Sequence, residues 1–187
     1  EIVLGEFEKN PKADIMIFHF ETDDPQRPQQ SYPKTKRRKK WQRMPWGGIR
    51  IAFRLSAVKK ANLSFTTLFG GGCIFPSGED SMFLKDAVKA DLKIYVSSKT
   101  IGQVSFAEST WFTGYDKKYF YGVGAFYQCA RKKTKSLRFL YTILRTRGQG
   151  LLSNKEKLKW LKYGALGYKK MLSYDQFVKE NAEISKE

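Results

Sequence analysis

An α/β body continued by a basic helical extension is the fold class this sequence predicts. Three observations carry it. Residues 13–20 are nearly continuous in apolar character, which suits a strand buried on both faces of a mainly parallel sheet. A helical pattern at 79–90 separates strand-like runs, so the order is strand, helix, strand. Past about residue 107 the character changes: aromatics crowd 111–127, and helical sequence rich in Lys, Arg, Leu and Tyr follows. The predicted division is 1–106 for the body and 107–187 for an aromatic junction with a basic helical extension.

Each element has its own reason. Residues 1–10 read as the end of an acidic helix whose apolar positions are Ile2, Val3, Leu4 and Phe7; Asn10-Pro11 breaks it. The apolar strand at 13–20 follows. Residues 21–33 contain three prolines and read as a loop that leads into the basic run 34–40. Alternation over 48–54 predicts a second strand, and 56–61 a short helix. A glycine loop, Gly70-Gly71-Gly72, occupies 66–78. Met82, Phe83, Ala87 and Val88 share one face of a helix over 79–90. Strands are expected at 92–96 and 101–106, then helical segments at 117–147 and 153–172, parted by Gly148-Gln149-Gly150.

Composition narrows the function classes. The chain has 187 residues, 41% hydrophobic and 15% aromatic, too many for a disordered segment. Its formal charge of +17 is concentrated: 34–40 carries six basic groups and no acid, and 131–170 carries thirteen against Glu156 alone. The remainder is close to neutral. Two cysteines, Cys73 and Cys129, exclude a disulfide framework and a four-cysteine zinc site, and are expected reduced. A lone histidine, His19, excludes sites that need two imidazoles and reads as a core residue of its strand. No apolar run approaches the roughly 20 residues that span a bilayer, and no secretory leader pattern opens the chain, so a cytoplasmic location is expected.

The stretch with most chemical content is Gly78-Glu79-Asp80. Two acids open a helix after a glycine loop. One reading is local: Ser77-x-x-Asp80 resembles a capping box, and acids suit a helix N-terminus. The other makes Asp80 a general base, kept ionised by the helix terminus and neighbouring cations, which takes the proton of an attacking hydroxyl.

The wider pattern favours the second. Gly47-Gly48-x-Arg50-x-Ala52-Phe53-Arg54, Phe65-x-x-Leu68-Phe69-Gly70-Gly71-Gly72, Gly78-Glu79-Asp80-Ser81-Met82-Phe83-Leu84 and Leu92-Lys93-Ile94-Tyr95-Val96 follow one another in order. Glu108-Ser109-Thr110-Trp111-Phe112-x-Gly114-Tyr115 and Tyr119-Phe120-Tyr121-x-x-Gly124-Ala125 extend the series. Over roughly residues 1–127 this resembles the second half of a family 2 glycosyltransferase catalytic domain, of the type found in bacterial surface-polysaccharide synthesis.

The resemblance implies a partial GT-A-like mixed sheet with flanking helices, with 1–106 as its acceptor-side half. It implies an inverting glycosyltransferase that moves a sugar from a nucleotide-diphosphate donor to a hydroxyl of a glycan or lipid-linked acceptor. Asp80 then matches the catalytic base and Glu79 its partner at the acceptor side. Gly70, Gly71 and Gly72 match a loop near the reacting sugars, and Trp111 an aromatic of the acceptor or diphosphate region. Arg50 and Arg54, four apart on the strand before the site, share a face there. Mg²⁺ or Mn²⁺ is implied, with its Asp-x-Asp ligands upstream of this chain, so no metal ligand is assigned here and the chain alone is expected to be inactive. Gln103 stands where many relatives place a metal-contacting histidine. The rival motif, Glu21-Thr22-Asp23-Asp24, reads better as a solvated loop.

The basic segments suggest partners of their own. The 34–40 run is either a solvated loop or a phosphate binder. Lys155, Lys159 and Lys162 share a helical face near Leu151, Leu152, Leu158 and Leu161, a pattern suited to peripheral contact with an anionic membrane. Trp41, Trp46 and Trp160 are candidates for interfacial anchors or core. The alternative function class is a basic nucleic-acid-binding module without catalysis, although no zinc finger, RNP or basic-zipper motif is present and no specific nucleic acid is expected.

Overall fold

The computed structural model describes residues 1–22, 32–39, 47–105 and 114–181. The chain divides into two compact units. One comprises Glu1–Thr66 with Glu79–Ser109, the other Thr67–Gly78 with Thr110–Glu187.

The first unit is a layered α/β structure. Its elements are α1 (Ile2–Lys9), β1 (Ile15–Thr22), β2 (Lys36–Arg37), β3 (Ile51–Phe53), α2 (Leu55–Lys60), α3 (Glu79–Lys89) and β4 (Ile94–Val104). The strand order is β2-β4-β1-β3. β1 runs parallel to β4, with Ile15 opposite Ile94 and Ile17 opposite Val96, and antiparallel to β3. β2 adds antiparallel to β4. The sheet is therefore mixed, with one parallel pair at its centre.

The apolar run that marked β1 has a direct cause. Ile15 and Ile17 point to one face and pack with Ile94 and Val96 against Val58 of α2 and Phe83, Leu84 and Ala87 of α3. Met16 and Phe18 point to the other face, with Phe7 of α1 and Ala13. Each such side chain contributes about 1.5–3 kcal/mol of burial, so a strand covered on both sides has no place for a polar residue in its first half.

Four expectations change in detail. The pair of strands at 92–96 and 101–106 is one strand, β4. Its polar stretch at 97–100 is strand because the Ser97 hydroxyl donates to Glu6 Oε2 (2.7 Å) and Ser98 N–H donates to the Thr35 hydroxyl (3.1 Å). The strand at 48–54 shrinks to Ile51–Phe53, after a 3₁₀ turn at Gly48–Arg50. Within the basic run, Lys36 and Arg37 form edge strand β2, where exposed cations discourage further strand pairing. At the start of the expected 21–33 loop, Glu21 and Thr22 continue β1; residues 23–31 lie outside the described residues.

Glu6 locks α1 to the sheet. It is 5% exposed, and its Oε2 accepts from both the Ser97 and the Thr35 hydroxyl. Burial raises its pKa, but those two hydrogen bonds, with Lys9 and Lys99 nearby, outweigh it and hold the carboxyl below its usual range. A lowered folded pKa means stability that is complete above the unfolded value and lost as pH falls through the folded one. Glu6→Gln is expected to cost about 1–3 kcal/mol at pH 7 in urea unfolding. Its gap to wild type narrows as the pH is lowered toward 3.

The second unit is helical: α4 (Lys117–Ala130), α5 (Lys135–Arg145), α6 (Asn154–Lys170) and α7 (Tyr174–Glu180). Asp116 caps α4 by accepting from Tyr119 N–H, and Ser153/Glu156 and Ser173/Gln176 form capping boxes on α6 and α7. The segment expected to be continuous over 117–147 breaks at 131–134. Three basic residues, Arg131, Lys132 and Lys133, crowd that break, and folding back buries Phe139 and Thr142 beside Tyr127, whose hydroxyl lies 3.2 Å from that of Thr142.

Lys157, on α6, is 1% exposed despite its charge. Its Nζ donates to the carbonyls of Thr146 (2.6 Å) and Gln149 (2.9 Å) and lies 5.7 Å from the centre of the Phe120 ring. Thr146 closes α5, so the ammonium satisfies carbonyls at the negative end of that helix. Lys157→Met keeps the stem but strands those two oxygens. We expect a loss of about 2–4 kcal/mol by urea unfolding of the chain.

Candidate active site

Asp80 lies in the first turn of α3, beside Glu79 and half-buried. Its Oδ2 accepts the Gly48 N–H at 2.7 Å. The 3₁₀ turn that opens at Gly48 delivers that donor, and a Cβ on Gly48 would stand 2.8 Å from Asp80 Oδ1, so a side chain there would push the carboxylate aside. The carboxylate thus bonds the loop before β3. The helix starts at Glu79, which leaves Ser77 one position before the capping residue, and the capping-box reading does not hold.

The electrostatics differ from the expectation of a carboxylate kept ionised by cations. Burial raises the Asp80 pKa, the Gly48 N–H opposes this, and the Glu79 charge raises it further; the net direction is upward. A half-desolvated carboxylate with heightened proton affinity, oriented by one backbone donor through one oxygen, suits a group that must take up a proton.

The two arginines part company, because the strand assumed to carry both is only three residues long. Arg50 ends the 3₁₀ turn, two residues beyond the donor to Asp80, and its guanidinium lies over the Phe20 ring at 4.4 Å. Arg54 turns to the backbone. Its guanidinium donates to the carbonyls of Ala13 and Phe7, both at 2.9 Å, and covers the Phe7 ring. Arg54 therefore joins α1 to β1.

Gly70, Gly71 and Gly72 belong to the second unit. The loop is pinned, not loose: Gly70 N–H donates to the Phe75 carbonyl, Cys73 N–H to the Gly70 carbonyl, and Phe69 and Phe75 are buried beneath it. Gly70 and Gly72 have φ of 128° and 77°, values that side chains resist. Gly71 and Gly72 form its exposed tip. Trp111 lies outside the described residues, as do Trp41, Trp46, Asp23 and Asp24. Trp160 is core, 3% exposed.

Gln103 sits on β4 opposite Glu21. His19 is buried on β1; its Nε2 accepts from Tyr32 N–H (3.1 Å), so the neutral ring carries its proton on Nδ1. Burial, then Arg50, lower its pKa against a weaker pull from the Ser97 backbone. Cys73 and Cys129 are free thiols. Among the described residues no three His, Cys, Asp or Glu side chains converge to hold a metal ion. The implied Mg²⁺ or Mn²⁺ is expected to take its ligands upstream of this chain.

Sequence reasoning missed the Gly48 donor, which is a backbone group, and the structural tasks of Glu6 and Lys157. Among the described residues no helix is long and apolar enough to cross a membrane. The chain matches no family model, no curated protein and no solved structure.

Proposed function

We propose that the chain forms the acceptor-side half of an inverting glycosyltransferase catalytic domain of GT-A type, with Asp80 as general base. The reading rests on the resemblance of the ordered motif series to family 2 enzymes. One observation supports it above the others: Asp80 opens α3 as a half-buried carboxylate of raised proton affinity, held by Gly48 N–H through a single oxygen. In the reaction an acceptor hydroxyl attacks the anomeric carbon of the donor sugar. Its proton passes to Asp80 as the bond to the nucleoside diphosphate breaks, and the configuration inverts. The resemblance gives Glu79 as the partner of Asp80 at the acceptor side, and the Glu79 charge raises the affinity of Asp80 for a proton.

On this proposal the acceptor is a glycan or a lipid-linked glycan, and the enzyme works in the cytoplasm at the inner face of the membrane. The nucleotide-binding half and its metal ligands belong to sequence outside these 187 residues. The test uses an enzyme in which the chain is joined to such a half and is screened against nucleotide-diphosphate sugars. Asp80→Asn is expected to keep folding and donor binding while losing transfer. Transfer at the wild-type rate in that variant removes Asp80 as the base.

A further inference from the structure

The strongest unexplained surface is one face of α5. Leu137, Leu140 and Leu144 are 72%, 55% and 60% exposed, and Tyr141 beside them is also exposed. Their spacing of three and four residues places them in one stripe along a helix about 16 Å long. The opposite face, with Phe139 and Thr142, is buried. Leu151, beyond the turn that follows, is fully exposed. So much leucine turned outward on one helix is not ordinary surface composition.

The charge along the chain on either side of the stripe is of one sign. From residue 117 to residue 155 the chain carries ten Lys or Arg and no acid. Arg131, Lys132 and Lys133 are exposed at the approach to α5, and Arg145 and Arg147 at its far end. We propose that the α5 stripe docks on an anionic lipid bilayer, with the helix lying in the interface plane, its leucines in the acyl boundary and the flanking cations among the headgroups.

Other occupants fit less well. A second copy would bring two cationic faces together. Nucleic acid would meet the cations, but it stacks its bases on aromatic rings, not on leucines. A peptide helix needs a groove, and α5 presents a ridge. The proposal moves the membrane contact expected for α6 to α5. Leu161 of α6 is fully buried, so that helix spends much of its apolar side inside the unit. The proposal is independent of glycosyl transfer, and its test involves no donor sugar.

The test is sedimentation of the full chain with vesicles of phosphatidylcholine and phosphatidylglycerol at about 3:1, against phosphatidylcholine alone, in roughly 0.1 M salt. Binding to the anionic vesicles is expected to be at least about tenfold tighter than to neutral ones. The exposed triple variant Leu137→Gln, Leu140→Gln, Leu144→Gln is expected to lose about tenfold or more while its circular dichroism is unchanged. Should that variant misfold, Leu140→Trp serves instead: brominated phospholipid quenches the added fluorescence if the residue is inserted. Absence of anionic-vesicle binding, wild-type binding by the folded triple variant, or no added quenching at Trp overturns the proposal. So does a wild-type dimer that the triple change converts to monomer, or duplex-DNA binding weakened by the same leucine changes.

Discussion

If Asp80 is the proposed base, Asp80→Asn is expected to lower the rate of sugar transfer by about 10²–10⁴-fold, the span for removal of a positioned base, while donor affinity stays near wild type. The amide still accepts the Gly48 N–H, so the loop before β3 keeps its anchor and what is lost is the capacity to take a proton. The pH profile carries a second signature. Burial and then the Glu79 charge raise the Asp80 pKa against the pull of Gly48 N–H, so the acidic limb of kcat/KM falls above the ordinary aspartate range. Glu79→Gln withdraws the raising charge and leaves burial, and that limb moves toward lower pH. Stability changes the opposite way from activity. An acid whose pKa is higher folded than unfolded binds its proton more tightly in the fold, so ionising it opposes folding as pH rises through that window. Asp80→Asn therefore melts no lower than wild type at pH 7, and any advantage disappears in acid. A carboxylate kept at a cost to stability is the mark of a residue retained for chemistry. A capping carboxylate would show the reverse, a lower melting temperature in the Asn variant with transfer intact.

The parts of this fold that could be read from sequence are those decided by periodicity. Residues 15–18 are apolar on both faces because helices cover both faces, and α3 shows its buried Phe83, Leu84 and Ala87 at helical spacing. What could not be read depends on partners distant in sequence. Ser97 resembles a turn residue until Glu6, ninety-one positions away, accepts its hydroxyl. Arg50 and Arg54 look equivalent until one lies over Phe20 and the other bonds the carbonyls of Ala13 and Phe7. The orientation of Asp80 is set by a backbone donor at Gly48, which no side-chain pattern encodes. The acid pair itself was visible; whether it capped a helix or met another segment was not. The same holds for the basic extension. Leucines on α5 and α6 look alike in a helical projection, and only the packing of α6 on α4 shows which of them are left outside.

That packing yields a large expected effect on stability. Gly124 of α4 lies against the backbone of Leu161, and Gly164 of α6 against the backbone of Tyr121. The pairing is reciprocal and antiparallel: moving three residues forward on one helix moves three back on the other. A Cβ on Gly164 would meet the Tyr121 carbonyl oxygen, with its carbonyl carbon at 2.7 Å and its Cα at 2.9 Å. None of these is the free end of a side chain, so a whole helix must move. In an isolated helix Gly→Ala is favourable by about 1 kcal/mol. Here the gain is overwhelmed, because separating α4 and α6 also loosens Tyr121, fully buried with its hydroxyl on the Leu172 carbonyl at 2.8 Å. Gly164→Ala and Gly124→Ala are each expected to cost about 2–4 kcal/mol, read by urea unfolding with near-ultraviolet circular dichroism. The double variant discriminates the cause. If both glycines serve one interhelical distance, the first methyl has already forced the separation, and the pair costs less than the sum by about 1 kcal/mol or more. Strict additivity would mean that each site relaxes locally and that the two helices are not held by a shared contact. Gly71→Ala provides the control in the same unit, since a Cβ there meets nothing within 4 Å, and its stability should stay within about 0.5 kcal/mol of wild type.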